Sequence, residues 1–194
     1  MKRFANITLI VLVVTNVQIT IKAQEMKDGN KPIITKKIDL VVKRIIDAPV
    51  DLVWKAWTDP KHVVKWWGPE GFTSPTCKID LHEGGSYIFC MRAPAEMGGF
   101  EHYSAGVYKK IIPEERLEFT QSLSDNNGNP LEPSAAGMTP DFPRELIVVV
   151  EFKKLSCDMT EITITEHEWA AGQMYVYSLA GLQQTIDKLS AVVK

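Results

Sequence analysis

Residues 175–193, YVYSLAGLQQTIDKLSAVV, place Tyr175, Leu179, Leu182, Ile186, Leu189 and Val193 at intervals of four, three, four, three and four. That spacing draws one apolar stripe along an α-helix of about five turns. Everything upstream of it, back to Lys37, is dominated by strand patterns. Ile38, Leu40 and Val42 recur at every second position in a first strand that ends at Ile45-Ile46. Six more strand-like stretches follow at about 72–82, 85–93, 101–112, 116–122, 145–153 and 158–166, with Pro113-Glu114-Glu115 as a turn between two of them. An antiparallel sheet with one solvated face must bury the other, and the C-terminal helix is the element able to cover it. The expected class is α+β.

Between the first and second strands the pattern changes. Asp47-Ala48-Pro49 opens a helix whose apolar side carries Val53, Trp54 and Trp57. Thr58-Asp59-Pro60 repeats the start signal for a second short helix with Val63, Trp66 and Trp67, stopped by Gly68-Pro69. Four of the five tryptophans therefore fall in fourteen residues. Each brings some 150–250 Å² of apolar surface that must be placed somewhere.

The chain of 194 residues holds 45% hydrophobic and 24% charged residues, an ordinary globular composition for one domain with an appendage. A domain this size needs no disulfide or metal staple. Lys2 and Arg3 precede an apolar run from Ile7 to Val14, and Ala23 offers a small residue for cleavage, which together describe an export signal over residues 1–23. Asn16 and Gln18 interrupt the run too early for a membrane span, although a buried N-terminal strand is a competing reading. The expected location is periplasmic or secreted, with residues 24–36 as a flexible lead-in to a domain at 37–194. Loss of the signal leaves nineteen basic against twenty-four acidic residues, a charge of −5, which removes the electrostatic case for nucleic acid.

The cysteines are Cys77, Cys90 and Cys157, an odd number. Matching Cys77, Ile79 and Leu81 with Tyr87, Phe89 and Met91 across a three-residue turn sets Cys77 opposite Met91 and turns Cys90 to the other face, so no Cys77–Cys90 disulfide is expected. A two-residue Glu83-Gly84 turn would instead oppose the two cysteines.

Chemical motifs are scarce. Gly84-Gly85 and Gly98-Gly99 read as turns, and neither a phosphate-binding loop nor a GxSxG elbow is present. The four histidines and three cysteines lack metal-ligand spacing, so no metal, cofactor or catalytic residue is assigned. Glu166-His167-Glu168-Trp169 is the densest ionisable cluster. Neighbours on a strand face opposite ways, so it reads as a solvated strand end rather than a catalytic group. His102 is expected to face outward if Tyr103 faces in. The long stretch 123–144, with four prolines, reads as a lid, a binding loop or a mobile solvent loop; Met138 and Phe142 would dip into a pocket in the first two cases.

A series of short motifs occurs in a recognisable order: Ile46-Asp47-Ala48-Pro49, Val53-Trp54, Thr58-Asp59-Pro60, Trp66-Trp67-Gly68-Pro69 with Gly71-Phe72, Asp80-Leu81 before Gly84-Gly85, and Gly106-Val107-Tyr108 before Pro113-Glu114 and Arg116-Leu117. The series resembles the heat-shock-protein-90 ATPase activator homologues of the START-like (SRPBCC, Bet v 1-like) superfamily, over about residues 37–194. The resemblance implies a helix-grip fold: a curved antiparallel sheet of six or seven strands around the C-terminal helix, with two short helices after the first strand. It also implies a cavity between sheet and helix that in relatives takes apolar or amphipathic molecules. The candidate lining residues are Trp66 and Trp67, which read equally as core, with Phe89, Met91, Tyr103 and Phe119 on strands. Phe142 on the loop and Met174 and Tyr177 on the helix complete the set, with tyrosine hydroxyls as orienting groups.

Fold resemblance narrows function poorly. The leading expectation is a non-catalytic exported protein that binds a small hydrophobic or amphipathic ligand. The alternatives are a cyclase- or dehydratase-like enzyme acting on a polyketide-like or aromatic substrate, and a protein-interaction module of the chaperone-activator kind. A buried histidine or carboxylate aimed into the cavity would favour the enzyme.

Overall fold

A computed structural model describes residues 36–193. The expected signal, residues 1–23, and all but Lys36 of the lead-in 24–36 lie outside the described residues. The elements are β1 (Lys37–Ile46), α1 (Val50–Thr58), α2 (Pro60–Val63), β2 (Cys77–Ile79), β3 (Ser86–Arg92), β4 (Glu101–Ile112), β5 (Arg116–Ser124), β6 (Leu146–Lys154), β7 (Thr160–Ala170) and α3 (Gln173–Val192). The seven strands of the described residues form one antiparallel sheet in the order β1-β7-β6-β5-β4-β3-β2. The sheet curves around α3, and among the described residues no helix is long and apolar enough to cross a membrane.

The helical stripe divides into two halves. Ile186 and Leu189 are fully buried and pack with Leu117, Phe119, Val150 and Ile164 from the inner face of the sheet. Met174, Tyr175, Leu179 and Leu182, nearer the N-terminus of α3, are only partly covered. The helix therefore fills the groove at one end and leaves space at the other.

Three sequence expectations are revised. The strand expected over 72–82 shrinks to Cys77–Ile79, because Pro75 has no N–H to give a ladder and only Thr73 bridges to Arg92 before it. The β2–β3 register is Cys77↔Phe89 and Ile79↔Tyr87, two residues from the expected match, because Asp80–Gly85 makes a longer turn in which Asp80 N–H donates to Ser86 O and Gly85 N–H to His82 O. A slip of two preserves the faces, so Cys77 and Cys90 still stand on opposite sides; Cys77, Cys90 and Cys157 are free thiols. Burial pushes the Cys77 thiol up to about 12. Finally, α2 stops at Val63, and Trp66 and Trp67 follow on a turn in which both amides donate to Val63 O. Gly68, at φ 100, ends that turn in a conformation that favours glycine.

Candidate functional site

The strand β7 carries the decisive local irregularity. Ile38 pairs with Trp169 but Leu40 pairs with Glu166, so β7 spends three residues where β1 spends two. Glu168 takes up the extra length at φ 62, its N–H donating to Asp39 Oδ1 and its carbonyl accepting from Lys37 Nζ. Such a bulge breaks the alternation of faces. Glu166 and Trp169, three residues apart, would otherwise face opposite ways; the bulge turns both inward. Trp169 Nε1 then donates to Glu166 Oε2 at 2.9 Å.

The side chains that meet there enclose a pocket of about 260 Å³ between the sheet and the N-terminal half of α3. Met91, His102, Ser104, Gln121 and Leu123 come from the sheet, and Met174, Tyr177, Ser178, Leu182 and Thr185 from α3. Trp67, Gly68 and Pro69 close one side, and Met138 and Phe142 of the long loop close another. Glu166 is 8% exposed, and burial raises its pKa to about 7 even though the Trp169 hydrogen bond opposes the shift. Burial also pulls His102 below its ordinary range. Among the described wall residues there is no lysine or arginine.

The long loop is fixed to the helix it faces. Asp141 Oδ2 accepts from Met174 N–H at 3.1 Å, Thr139 Oγ1 donates to Asp141 Oδ1, and these bonds hold the Asp141 carboxyl below the usual range. Gly172 makes that approach feasible, since a Cβ there would collide with Asp141 Oδ2. Phe142 is thereby set edge-on to Trp169, ring centres 5.4 Å apart. On the opposite side, Lys188 Nζ donates to the carbonyls of Gly68, Pro69 and Phe72 at 2.9, 3.2 and 2.8 Å, and Gln184 Oε1 accepts from Glu70 N–H. Pro69 O also accepts from Phe72 N–H, so Lys188→Met would strand the carbonyls of Gly68 and Phe72, and we expect a loss of about 1–3 kcal/mol, read as a lower urea midpoint. An unchanged midpoint would show that this anchor carries no weight.

The expected site residues part company here. Trp67, Met91, Phe142, Met174 and Tyr177 lie on the pocket wall. Trp66, Phe89 and Phe119 do not reach it; all three are buried in the core, Trp66 with its Nε1 donating to Ala56 O. Tyr103 borders the pocket, but it pairs with Cys90 across the ladder and its hydroxyl donates to Glu101, so its side chain stands on the outer face. His102, expected outward, pairs with Met91 and faces in. The Tyr177 hydroxyl accepts from Gln173 at the helix surface, so neither tyrosine hydroxyl orients a ligand inside. Glu166, expected at a solvated strand end, is a buried carboxyl on the pocket wall, while His167 on the other face pairs with Asp39 at 3.1 Å.

A family model described as activator of Hsp90 ATPase homolog 1-like protein matches residues 47–194. The chain belongs to that family. Among solved structures, a protein from Chromobacterium violaceum is 26% identical, with a TM-score of 0.63 over 80% of this chain and 96% of that one. A protein from Nitrosomonas europaea is also 26% identical, with a TM-score of 0.61 over 79% and 92%. An AHSA1 protein from Silicibacter pomeroyi, at 18% identity and a TM-score of 0.60 over 79% and 96%, shares the fold. No curated protein matches. The helix-grip architecture of this AHSA1-family member is thus that of a ligand-binding or interaction module, and the pocket between sheet and α3 offers room for a ligand.

Proposed function

We propose that this AHSA1-family protein is a binding protein for a small amphipathic molecule, held between sheet and α3, and that it works outside the cytoplasm after loss of residues 1–23. The observation that carries the binding reading is the pocket itself: apolar and aromatic walls around one buried carboxyl, the usual composition of a small-molecule site. Its size suits a ligand of one ring with a short substituent. Export is supported by the charged-apolar-small pattern of Lys2 to Ala23. Native mass spectrometry of protein taken from its own host tests both parts. The expected result is a chain beginning at Gln24 with an added mass that is lost on denaturation. A bare chain that also gives no saturable change in tryptophan fluorescence with an apolar dye would overturn the binding reading.

One observation favours an enzyme as the second reading. Glu166, with a pKa of about 7 inside the cavity, is poised to exchange a proton with a bound substrate near neutral pH. No second acid or base is hydrogen-bonded to it among the described residues, since its partner is the Trp169 indole. Binding therefore stands first.

A further inference from the structure

We propose that the ligand of this pocket is an organic cation, a primary or substituted amine on an apolar skeleton, whose nitrogen pairs with the Glu166 carboxylate between aromatic side chains. The assignment rests on the binding reading above and adds the chemistry of the ligand's head group. A carboxyl buried in an apolar wall is a poor choice for holding a purely hydrophobic guest, because it must be desolvated with nothing in return. Here Glu166 has one partner, a neutral indole N–H on Oε2. A charged nitrogen would supply the missing counter-ion.

The remainder of the wall fits the same guest. Trp67, Phe142, Trp169 and Tyr177 all border this one pocket of about 260 Å³. A cation within about 6 Å of such rings is attracted by their electron-rich faces, most strongly where water is excluded. Gln121, Ser104, Ser178 and Thr185 add neutral hydrogen-bonding groups. An anionic guest would meet Glu166 with no lysine or arginine on the described walls to offset it, and with His102 held towards its neutral form by burial.

The charged and titratable groups around Glu166 do not substitute for the guest. His102 on β4 is held towards its neutral form by burial. On α3, Lys188 spends its donors on the carbonyls of Gly68, Pro69 and Phe72, and Asp187 binds Arg44 of β1 at 2.9 Å. Tyr87 of β3 is fully buried, with its hydroxyl donating to Thr120 O, and Asp141 on the loop is committed to capping α3. The pocket carboxyl is left as the group that a bound cation neutralises.

Calorimetric titration of the full chain with three matched probes tests this: phenethylamine, phenethyl alcohol and phenylacetate. We expect the amine to bind at least about tenfold more tightly than the alcohol, and phenylacetate most weakly. Below about pH 7 the carboxyl must lose its proton to accept the cation, so amine affinity should fall roughly tenfold per pH unit. Titration in buffers of different ionisation enthalpy should show close to one proton released per amine bound at about pH 6. Glu166→Gln, which keeps an acceptor for Trp169, should bring the amine down to the affinity of the alcohol and abolish the proton release. An alcohol that binds as well as the amine, or amine binding without proton release, would overturn the cation while leaving the pocket as a ligand site. Failure of all three probes and of the apolar dye would overturn both.

Discussion

Trp66→Ala is expected to bring the domain close to unfolding, while Trp67→Ala, one position along, leaves it folded with a damaged pocket. Trp66 is 1% exposed and lies against Trp57 and Trp67, with ring centres 4.9 and 5.6 Å away. Its Nε1 also donates to Ala56 O at 2.9 Å, tying the turn after α2 to the end of α1. Truncating a buried tryptophan costs about 3–5 kcal/mol in lost contacts and cavity, before the broken hydrogen bond is counted. Domains of this kind are stable by only about 5–15 kcal/mol, so the loss takes most of the margin at the low end of that range and about a third at the high end. Trp67 is half-buried, resting on Phe89 with ring centres 4.6 Å apart and its other side on the pocket. Its loss is expected to cost about 1–3 kcal/mol and to weaken an apolar dye about tenfold. Denaturant melts of the two variants, with dye titration of the second, check the contrast. A Trp67→Ala chain less stable than Trp66→Ala would show that the two tryptophans have been assigned the wrong way round.

That contrast also shows how far the sequence could be read. The 175–193 stripe and the alternation along the strands identify the α+β layout, because burial of one helix face and one sheet face leaves a fixed period in the chain. Side chains placed by simple alternation follow it: Met91 faces in, and Cys77 and Cys90 fall on opposite faces despite a two-residue slip in register. The site is less legible because it depends on departures from the period. Nothing in Glu166-His167-Glu168-Trp169 announces a bulge; a glycine would have done so, but here Glu168 itself adopts the positive φ. Without that bulge Trp169 would point away from Glu166, and the cluster would look like an exposed strand end. The Tyr103–His102 inversion has a simpler origin. An aromatic residue is assumed to face the core, yet Tyr103 has Glu101 and Cys90 to pack with outside, and the pairing with Met91 carries His102 inward. The capping of α3 by Asp141 is long-range in sequence, and no local pattern predicts it.

Glu166→Gln is expected to stabilise the ligand-free chain at neutral and alkaline pH, by an amount that disappears in acid. The folded chain holds the Glu166 proton up to about pH 7, whereas an ordinary exposed glutamate loses it near 4.5. Between those values the folded state binds more protons than the unfolded state, so stability falls as the pH rises, by about 1.4 kcal/mol per pH unit at most. The loss is complete above about pH 7 and amounts to something on the order of 3 kcal/mol. Glutamine has no proton to lose and can still accept from Trp169 Nε1, so the variant should lack this slope. His102 titrates in the opposite sense, its buried ring favouring the neutral form, but it is present in both chains and cancels from their difference. Paired denaturant melts from about pH 4 to pH 8.5 should therefore show curves that coincide in acid and separate as the pH rises, with the glutamine chain the more stable. Curves that stay parallel across the range would place the carboxyl in water, with no proton held by the fold. A side chain that costs the empty protein stability at neutral pH is hard to explain as packing, since a neutral residue of the same shape would serve better. Its presence on the inner face, brought there by a strained bulge and held by an indole, is accounted for by what it does to a guest: a cation entering the pocket turns the same desolvated carboxylate from a liability into the strongest contact available.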